Sequence, residues 1–204
     1  MTRTPGIEAP AGAGTILKVG NGRGFLICLD DQIAIVTAAH CLPGLPPAHP
    51  ASHAGERTYA NLAGPLGANP RVWAECVFVD PIADLAVLVA PDDQELPDEY
   101  TAYLAFTKSK PSFRVGTLER PSLVWLFSLT GRWIPCSAAR SGGSAGFAHG
   151  VELDGPPAAY EQGTSGSPIV VSDGCAIGLV SVGRALNPLL AESLPPRILD
   201  ACSM

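Results

Sequence analysis

Ser165 lies in the stretch EQGTSGSPIV, residues 161–170, with one glycine two positions before it and another directly after it. A serine hydroxyl becomes a good nucleophile only when a base removes its proton and donors stabilise the charge on the substrate oxygen. Gly163 and Gly166 permit a backbone turn that points N–H groups outward, because glycine adopts conformations that other residues avoid. A glycine-serine turn without chemistry fits the stretch equally well, so a nucleophile also requires a histidine and a carboxylate elsewhere.

His40 is the strongest candidate base among the four histidines. It ends the apolar segment QIAIVTAAHC, where the chain leaves a predicted strand and emerges from the core. A histidine at a strand end can present one ring nitrogen to a site from a fixed position. His49 and His53 lie in a proline-rich loop that cannot form the helix needed to align them as metal ligands, and His149 follows a glycine-rich stretch. For these three we favour a plain surface role.

Asp84 is the preferred carboxylate. It lies in VFVDPIADLAVLVA, inside an apolar run, where burying a charge is costly unless the charge is hydrogen-bonded or paired. An aspartate that accepts a hydrogen bond from an imidazole N–H meets that need. An exposed strand start remains the alternative for Asp84, and Asp80, which precedes a proline, is predicted to be a turn residue.

Short strands must position these residues. Apolar segments such as GFLICLD, QIAIVTA and DLAVLVA are separated by Gly, Pro, Asp and Asn, and the chain holds 22 glycines and 20 prolines. This spacing favours closed or sandwiched β architecture, with about six strands on each side of the acidic stretch PDDQELPDEY at 91–100. Evidence for a helix is confined to PLLAESLPPRILDAC near the C-terminus.

Composition excludes several function classes. The net charge is −6 with no basic run, which argues against nucleic-acid binding. The longest apolar run, LAVLVA, is too short to cross a membrane, and the N-terminal segment has no apolar core of a secretion signal, so we expect a cytoplasmic protein. No cysteine pair has metal-ligand spacing, so neither a metal nor another cofactor is predicted.

The six cysteines are expected to be reduced. A hairpin turning at Asp30-Asp31 would place Cys28 opposite Ile33, and Cys41 would then lie roughly 25 Å further along the strand. A disulfide needs Cα atoms within about 7 Å, so Cys28 and Cys41 should not pair.

Four segments together carry a family resemblance: TAAHC at 37–41, DLAVL at 84–88, GTSGSP at 163–168 and GLVSVG at 178–183. Their order, His, Asp, Ser, resembles that of the chymotrypsin-like (trypsin-fold) serine proteases, especially bacterial trypsin-like peptidases related to the HtrA group. The resemblance implies an all-β chain of two antiparallel six-stranded β-barrels with a short C-terminal helical segment. A single peptidase domain, 1–204, would contain an N-terminal barrel at 12–90, a linker at 91–100, a C-terminal barrel at 101–185 and a C-terminal segment at 186–204.

The resemblance also implies roles. His40 would be the general base, Asp84 its orienting partner and Ser165 the nucleophile of a serine endopeptidase, and the N–H groups of Gly163 and Ser165 would form the oxyanion hole. The substrate-binding residues would be Ala159 at the pocket floor, together with Ser181, Val182 and Gly183 on a strand that pairs with an extended peptide.

Two departures from the family pattern bear on activation and specificity. Thr164 replaces the aspartate that captures a new N-terminus in secreted digestive relatives, so activation by N-terminal trimming is not expected. Ala159 offers no acid for a basic side chain, although Glu161 and Tyr160 lie close to it in the sequence; Val182 and Ala159 together favour a small or medium apolar residue on the acyl side of the cleaved bond. The expected partner is a protein or peptide substrate, with a separate regulatory protein as a further expectation. The rival function is a catalytically silent peptide-binding module on the same fold.

Overall fold

The first half of the chain closes into a β-barrel in the computed structural model, which describes residues 10, 13–30, 32–48, 53–142, 149–181 and 187–202. Each strand pairs antiparallel with its neighbours in the order β1-β2-β3-β6-β5-β4. The strands are β1 (Ile16–Val19), β2 (Gly22–Leu29), β3 (Gln32–Thr37), β4 (Thr58–Pro65), β5 (Val72–Asp80) and β6 (Leu85–Val89). The prediction of a closed six-stranded N-terminal barrel is therefore confirmed.

Alternation of side chains along β2 and β3 gives the barrel its two packed faces. Leu26 and Ile35 point into the barrel core, whereas Phe25 and Val36 point outward, toward the second half of the chain. The register places Cys28 opposite Ile33, as the hairpin prediction required. All six cysteines are free thiols.

Among the described residues, the second half forms a seven-stranded sheet that does not close, so the prediction of a second six-stranded barrel is wrong. The order is β13-β10-β9-β8-β11-β12-β7, and β7 pairs parallel with β12. The strands are β7 (Arg114–Val115), β8 (Ser122–Phe127), β9 (Trp133–Gly142), β10 (His149–Asp154), β11 (Pro168–Val171), β12 (Cys175–Leu179) and β13 (Asn187–Pro188). Leu189, directly after β13, forms an isolated bridge with Gly178 of β12.

Four α-helices accompany the strands in the described ranges. They are α1 (Ala54–Arg57), α2 (Pro97–Thr107), α3 (Leu190–Ser193) and α4 (Pro196–Ala201), so the C-terminal helical segment is confirmed and α2 is additional. Tyr103 of α2 is buried, and its hydroxyl donates to the carbonyls of Ile33 (3.0 Å) and Leu88 (3.3 Å), which fixes the helix to the first barrel. None of the helices in these ranges is long and apolar enough to cross a bilayer.

The two halves share an apolar interface. Phe25 of the first half and Phe113 of the second pack edge to face with ring centroids 6.0 Å apart, and within the second half Phe127 and Trp133 do the same at 5.0 Å. Aromatic pairs of this geometry contribute roughly 0.5–1.5 kcal/mol beyond the area that they bury. The interface is therefore well packed next to the ends of β3 and β8, where the candidate site lies.

Candidate active site

His40 and Asp84 come together at adjacent ends of β3 and β6. His40 lies in a short 3-10 turn, Ala39–Cys41, directly after β3, and Asp84 precedes β6. The Asp84 carboxylate accepts two hydrogen bonds from the histidine, one from ring Nδ1 at 2.7 Å and one from the backbone N–H at 2.9 Å. Because both carboxylate oxygens are engaged by the same residue, the ring is held in one orientation.

The backbone around Asp84 explains why an acid fits there. Asp84 has φ +56°, in the left-handed region, which aspartate and asparagine tolerate better than most residues. The preceding turn is capped by Asp80, whose Oδ1 accepts from the N–H groups of Ile82 and Ala83 at 2.8 and 3.0 Å. Asp80 is therefore a turn residue, as predicted from its position before a proline.

Ser181 supplies a third donor to Asp84, which the sequence reasoning missed. Its hydroxyl donates to Oδ2 of Asp84, the same oxygen that accepts from the His40 ring. With Nδ1–H of His40 donated to this carboxylate, Nε2 is the unprotonated nitrogen of the neutral ring, which is the form a base requires. The His40 side chain is 46% exposed.

The loop that carries Ser165 is a tight turn followed by a close backbone contact. The N–H of Thr164 donates to the carbonyl of Glu161 at 3.0 Å, and Gly163, the third residue of this turn, has φ +99°. A positive φ at the third position is the mark of a type II turn. Directly after Ser165, Gly166 has φ +80°, and a Cβ there would lie 1.9 Å from the Arg23 carbonyl oxygen, so only glycine fits.

Two N–H groups of this loop are left for a ligand. The N–H of Thr164 is used within the turn, and that of Gly166 donates to Val180 at 2.7 Å. Within the described residues, the N–H groups of Gly163 and Ser165 have no acceptor. These are the two donors to which the family resemblance assigns an oxyanion hole.

The Ser165 hydroxyl donates to the carbonyl oxygen of Ser181 at 3.2 Å, and the described part of the chain shows no hydrogen bond from it to His40. Ser181 therefore contacts both sides of the site: its carbonyl accepts from Ser165 and its hydroxyl donates to Asp84. Catalytic hydrogen bonds are often long or misaligned in enzymes without substrate and tighten in the Michaelis complex.

The structure places the predicted substrate-binding residues in different surroundings. Ser181 is at the site, but it is buried, and its N–H donates to the side-chain oxygen of buried Asn187 at 2.8 Å. Ala159 lies in the 3-10 turn Pro157–Ala159 and is only 1% exposed, packed in the core of the second sheet. Val182 and Gly183 lie outside the described residues.

The described ranges contain no group of three or more His, Cys, Asp or Glu side chains placed to hold a metal ion. The site brings together an imidazole, a carboxylate, a hydroxyl and two backbone N–H groups.

Comparison with known proteins shows the fold. No protein-family model matches the chain, and no curated protein sequence matches it. The structure is similar to the inactive form of the Rv3671c protease from M. tuberculosis, with a TM-score of 0.52, 18% identity, and coverage of 95% of this chain and 91% of that chain. Other similar structures are the MamO protease domain of Magnetospirillum magneticum (TM-score 0.46, 18% identity, 82% and 83% coverage) and a serine endoprotease of Yersinia pestis (TM-score 0.48, 17% identity, 85% and 58% coverage). The chain thus has the fold of the trypsin-like, chymotrypsin-fold serine proteases.

Proposed function

We propose that the chain is a serine endopeptidase that hydrolyses peptide bonds through His40, Asp84 and Ser165. The observation that carries the proposal is the set of hydrogen bonds linking these residues: Asp84 accepts from His40 Nδ1 and from Ser181, and Ser181 accepts from the Ser165 hydroxyl. A base with a fixed tautomer, a serine linked to it through Ser181 and Asp84, and two N–H groups without an acceptor among the described residues are the parts that acyl transfer needs.

In the first half of the proposed reaction, the Ser165 hydroxyl rotates from the Ser181 carbonyl to Nε2 of His40. Oγ attacks the carbonyl carbon of the scissile peptide bond while Nε2 takes the proton. The negative charge moves to the substrate oxygen, where the N–H groups of Gly163 and Ser165 donate to it. His40 then gives its proton to the leaving nitrogen, the C–N bond breaks, and an acyl-enzyme ester remains on Ser165.

In the second half, water attacks the ester carbonyl while His40 takes a proton from it. The tetrahedral intermediate collapses, the proton returns to Ser165 Oγ, and the free carboxylate leaves. Asp84 stays ionised throughout and stabilises the imidazolium that forms in both halves. The substrate backbone is expected to reach the Ser181 carbonyl once the Ser165 hydroxyl has left it, as in strand-addition recognition.

We infer a protein or peptide substrate with a small or medium apolar residue on the acyl side of the cleaved bond, because Ala159, which the family resemblance assigns to the pocket floor, has no carboxylate to pair with a basic side chain. A cytoplasmic location and a separate regulatory protein partner stay predictions. A peptide-library cleavage profile dominated by Arg or Lys at the acyl position would contradict the proposed preference.

A fluorophosphonate probe tests the reaction itself, because it reacts only with an activated serine. We expect labelling of wild type and of the control Ser172→Ala, which removes an exposed hydroxyl on the β11–β12 hairpin. Labelling should vanish in Ser165→Ala and in His40→Ala. Absence of labelling in wild type, together with peptide binding that Ser165→Ala leaves unchanged, would instead establish the silent peptide-binding module.

A further inference from the structure

Arg23 is a buried guanidinium near the candidate site. The residue is only 6% exposed, and burial lowers the pKa of its guanidinium. Buried charges in proteins are normally paired with an opposite charge. In the described ranges, however, Arg23 makes no ion pair with a carboxylate, so the side chain must be stabilised by other groups.

Those groups are two consecutive backbone carbonyls at the end of β8. Nη1 of Arg23 donates to the carbonyl of Phe127 at 2.7 Å and to that of Ser128 at 3.2 Å, and Nη2 donates to Ser128 at 3.2 Å. Nη1 also reaches Oγ of Ser167 at 3.5 Å. The guanidinium carbon lies 5.7 Å from the centroid of the Phe127 ring, close enough for a cation–π interaction.

The backbone of Arg23 holds the nucleophile loop. Its N–H donates to the carbonyl of Ser165 at 2.8 Å, and its carbonyl, which accepts from the Thr37 hydroxyl at 2.6 Å, is the group that excludes a side chain at Gly166. One residue of the first barrel therefore fixes Ser165 through its main chain and the end of β8 through its side chain.

The loop after β8 lies beside the oxyanion turn. Ser128 organises this loop, since its Oγ donates to the Arg132 carbonyl at 2.8 Å and accepts from the Arg132 N–H at 3.1 Å. The next residue, Leu129, is 44% exposed, and its Cδ2 lies 3.7 Å from the position that a Cβ would take on Gly163. The Leu129 side chain therefore lies directly beside Gly163. Arg23 binds the carbonyls of Phe127 and Ser128, at the start of the segment that carries Leu129.

We propose that Arg23, a residue of the first barrel, is a positioning residue for the oxyanion turn. Its side chain acts through the β8–β9 loop, which lies on one side of Gly163, and its backbone acts through Ser165 on the other side. The inference rests on the proposed peptidase function. Arginine suits the role because its planar fork reaches two successive carbonyls, whereas the point-like ammonium of lysine cannot bind both in the same geometry.

The test compares Arg23→Met, Arg23→Lys and the control Arg120→Met, which removes an exposed arginine in the loop before β8. We expect Arg23→Met to lower kcat about 10- to 100-fold with little change in KM, because a displaced donor affects the transition state more than the ground state. Affinity for a peptide boronate, which forms a tetrahedral adduct, should fall by a similar factor. Arg23→Lys should lie between Arg23→Met and wild type, and Arg120→Met should match wild type.

Hydrogen exchange of the same variants separates this inference from the function on which it rests. Faster amide exchange at 128–132 and 161–166 in Arg23→Met is expected whether or not the protein cleaves peptides. If wild type cleaves peptides and Arg23→Met loses thermal stability but keeps kcat and boronate affinity in the folded fraction, Arg23 is structural only and the inference is wrong. If wild type is inactive, the peptidase proposal fails, and unchanged exchange in these segments then overturns the positioning role as well.

Discussion

Replacing Gly163 by alanine probes the oxyanion turn with a single methyl group. The Cβ itself has room, since Leu129 at 3.7 Å is the nearest atom outside the neighbouring residues. The penalty is conformational, because φ is +99° and an alanine in the left-handed region costs roughly 1–2 kcal/mol. The turn can escape that penalty by flipping the peptide between residues 162 and 163 into a type I turn, which directs the Gly163 N–H away from the substrate oxygen.

The expected change in kcat/KM follows from comparing the free energy of losing one oxyanion donor with the strain of alanine at this φ. Losing one oxyanion donor costs about 2.7–4 kcal/mol in the transition state, which exceeds the strain of about 1–2 kcal/mol. In the transition state the variant therefore returns to the type II turn, because the donor is worth more than the strain costs. The loss in kcat/KM then equals the free energy needed to bring Ala back to the positive φ at position 163. At 1.36 kcal/mol per factor of ten, Gly163→Ala should lower kcat/KM by about 5- to 30-fold.

Gly174→Ala is the matched control. Gly174 has φ +84° in the β11–β12 hairpin, and nothing lies within 4 Å of its Cβ position, so it carries a similar backbone penalty away from the site. Urea unfolding and steady-state kinetics of both variants distinguish strain from catalysis. Gly174→Ala should lose about 1–2 kcal/mol of stability with unchanged kcat/KM. A Gly163→Ala enzyme with kcat/KM within about twofold of wild type would refute the assignment of the Gly163 N–H to the oxyanion hole.

Three further predictions concern the carboxylate, the thiols and the buried glutamate. Asp84→Asn keeps a residue that tolerates φ +56° but weakens control of the His40 tautomer, so kcat should fall on the order of 10⁴-fold in a peptidase assay. A thiol reagent should modify exposed Cys28 first at neutral pH, whereas Cys202, whose pKa burial raises to about 11, should react appreciably only in alkali, as peptide mass mapping will show. Burial raises the pKa of Glu75, so the folded state holds that proton more tightly than the unfolded state does. The free energy of unfolding should therefore fall as pH rises above about 4.3, and urea titrations of Glu75→Gln at several pH values should not show this fall.

The candidate residues could be predicted because each has a local signal. Ser165 lies between glycines whose positive φ values the structure shows to be needed, and Asp84 is an acid within an apolar run that the His40 ring and backbone satisfy. The hairpin register also followed from the turn at Asp30. Each of these predictions depends on a backbone preference or on a charge within an apolar run, and both can be recognised in a short stretch of sequence.

The elements that the sequence reasoning missed depend on distant contacts. Helix α2 has an acidic first turn and a proline at its start, both typical of helix N-termini, but inside the helix only Tyr103 and Thr107 are buried. Such sparse burial gives no amphipathic pattern to recognise. Arg23 pairs with carbonyls 104 and 105 residues away, so nothing in NGRGF distinguishes it from an exposed arginine.

The division of the site between two halves makes their junction as important as the reacting groups. His40 and Asp84 belong to the closed barrel, whereas Ser165 and Gly163 lie on a loop before β11 of the open sheet. Besides Arg23, the junction includes buried Cys41, whose Sγ lies 3.8 Å from the Ser165 carbonyl oxygen. A Cβ on Gly22 would lie 2.4 Å from that sulfur and 2.7 Å from the same oxygen. Contacts this close leave the nucleophile loop little freedom relative to the first barrel, so an open second sheet is compatible with a well-ordered serine.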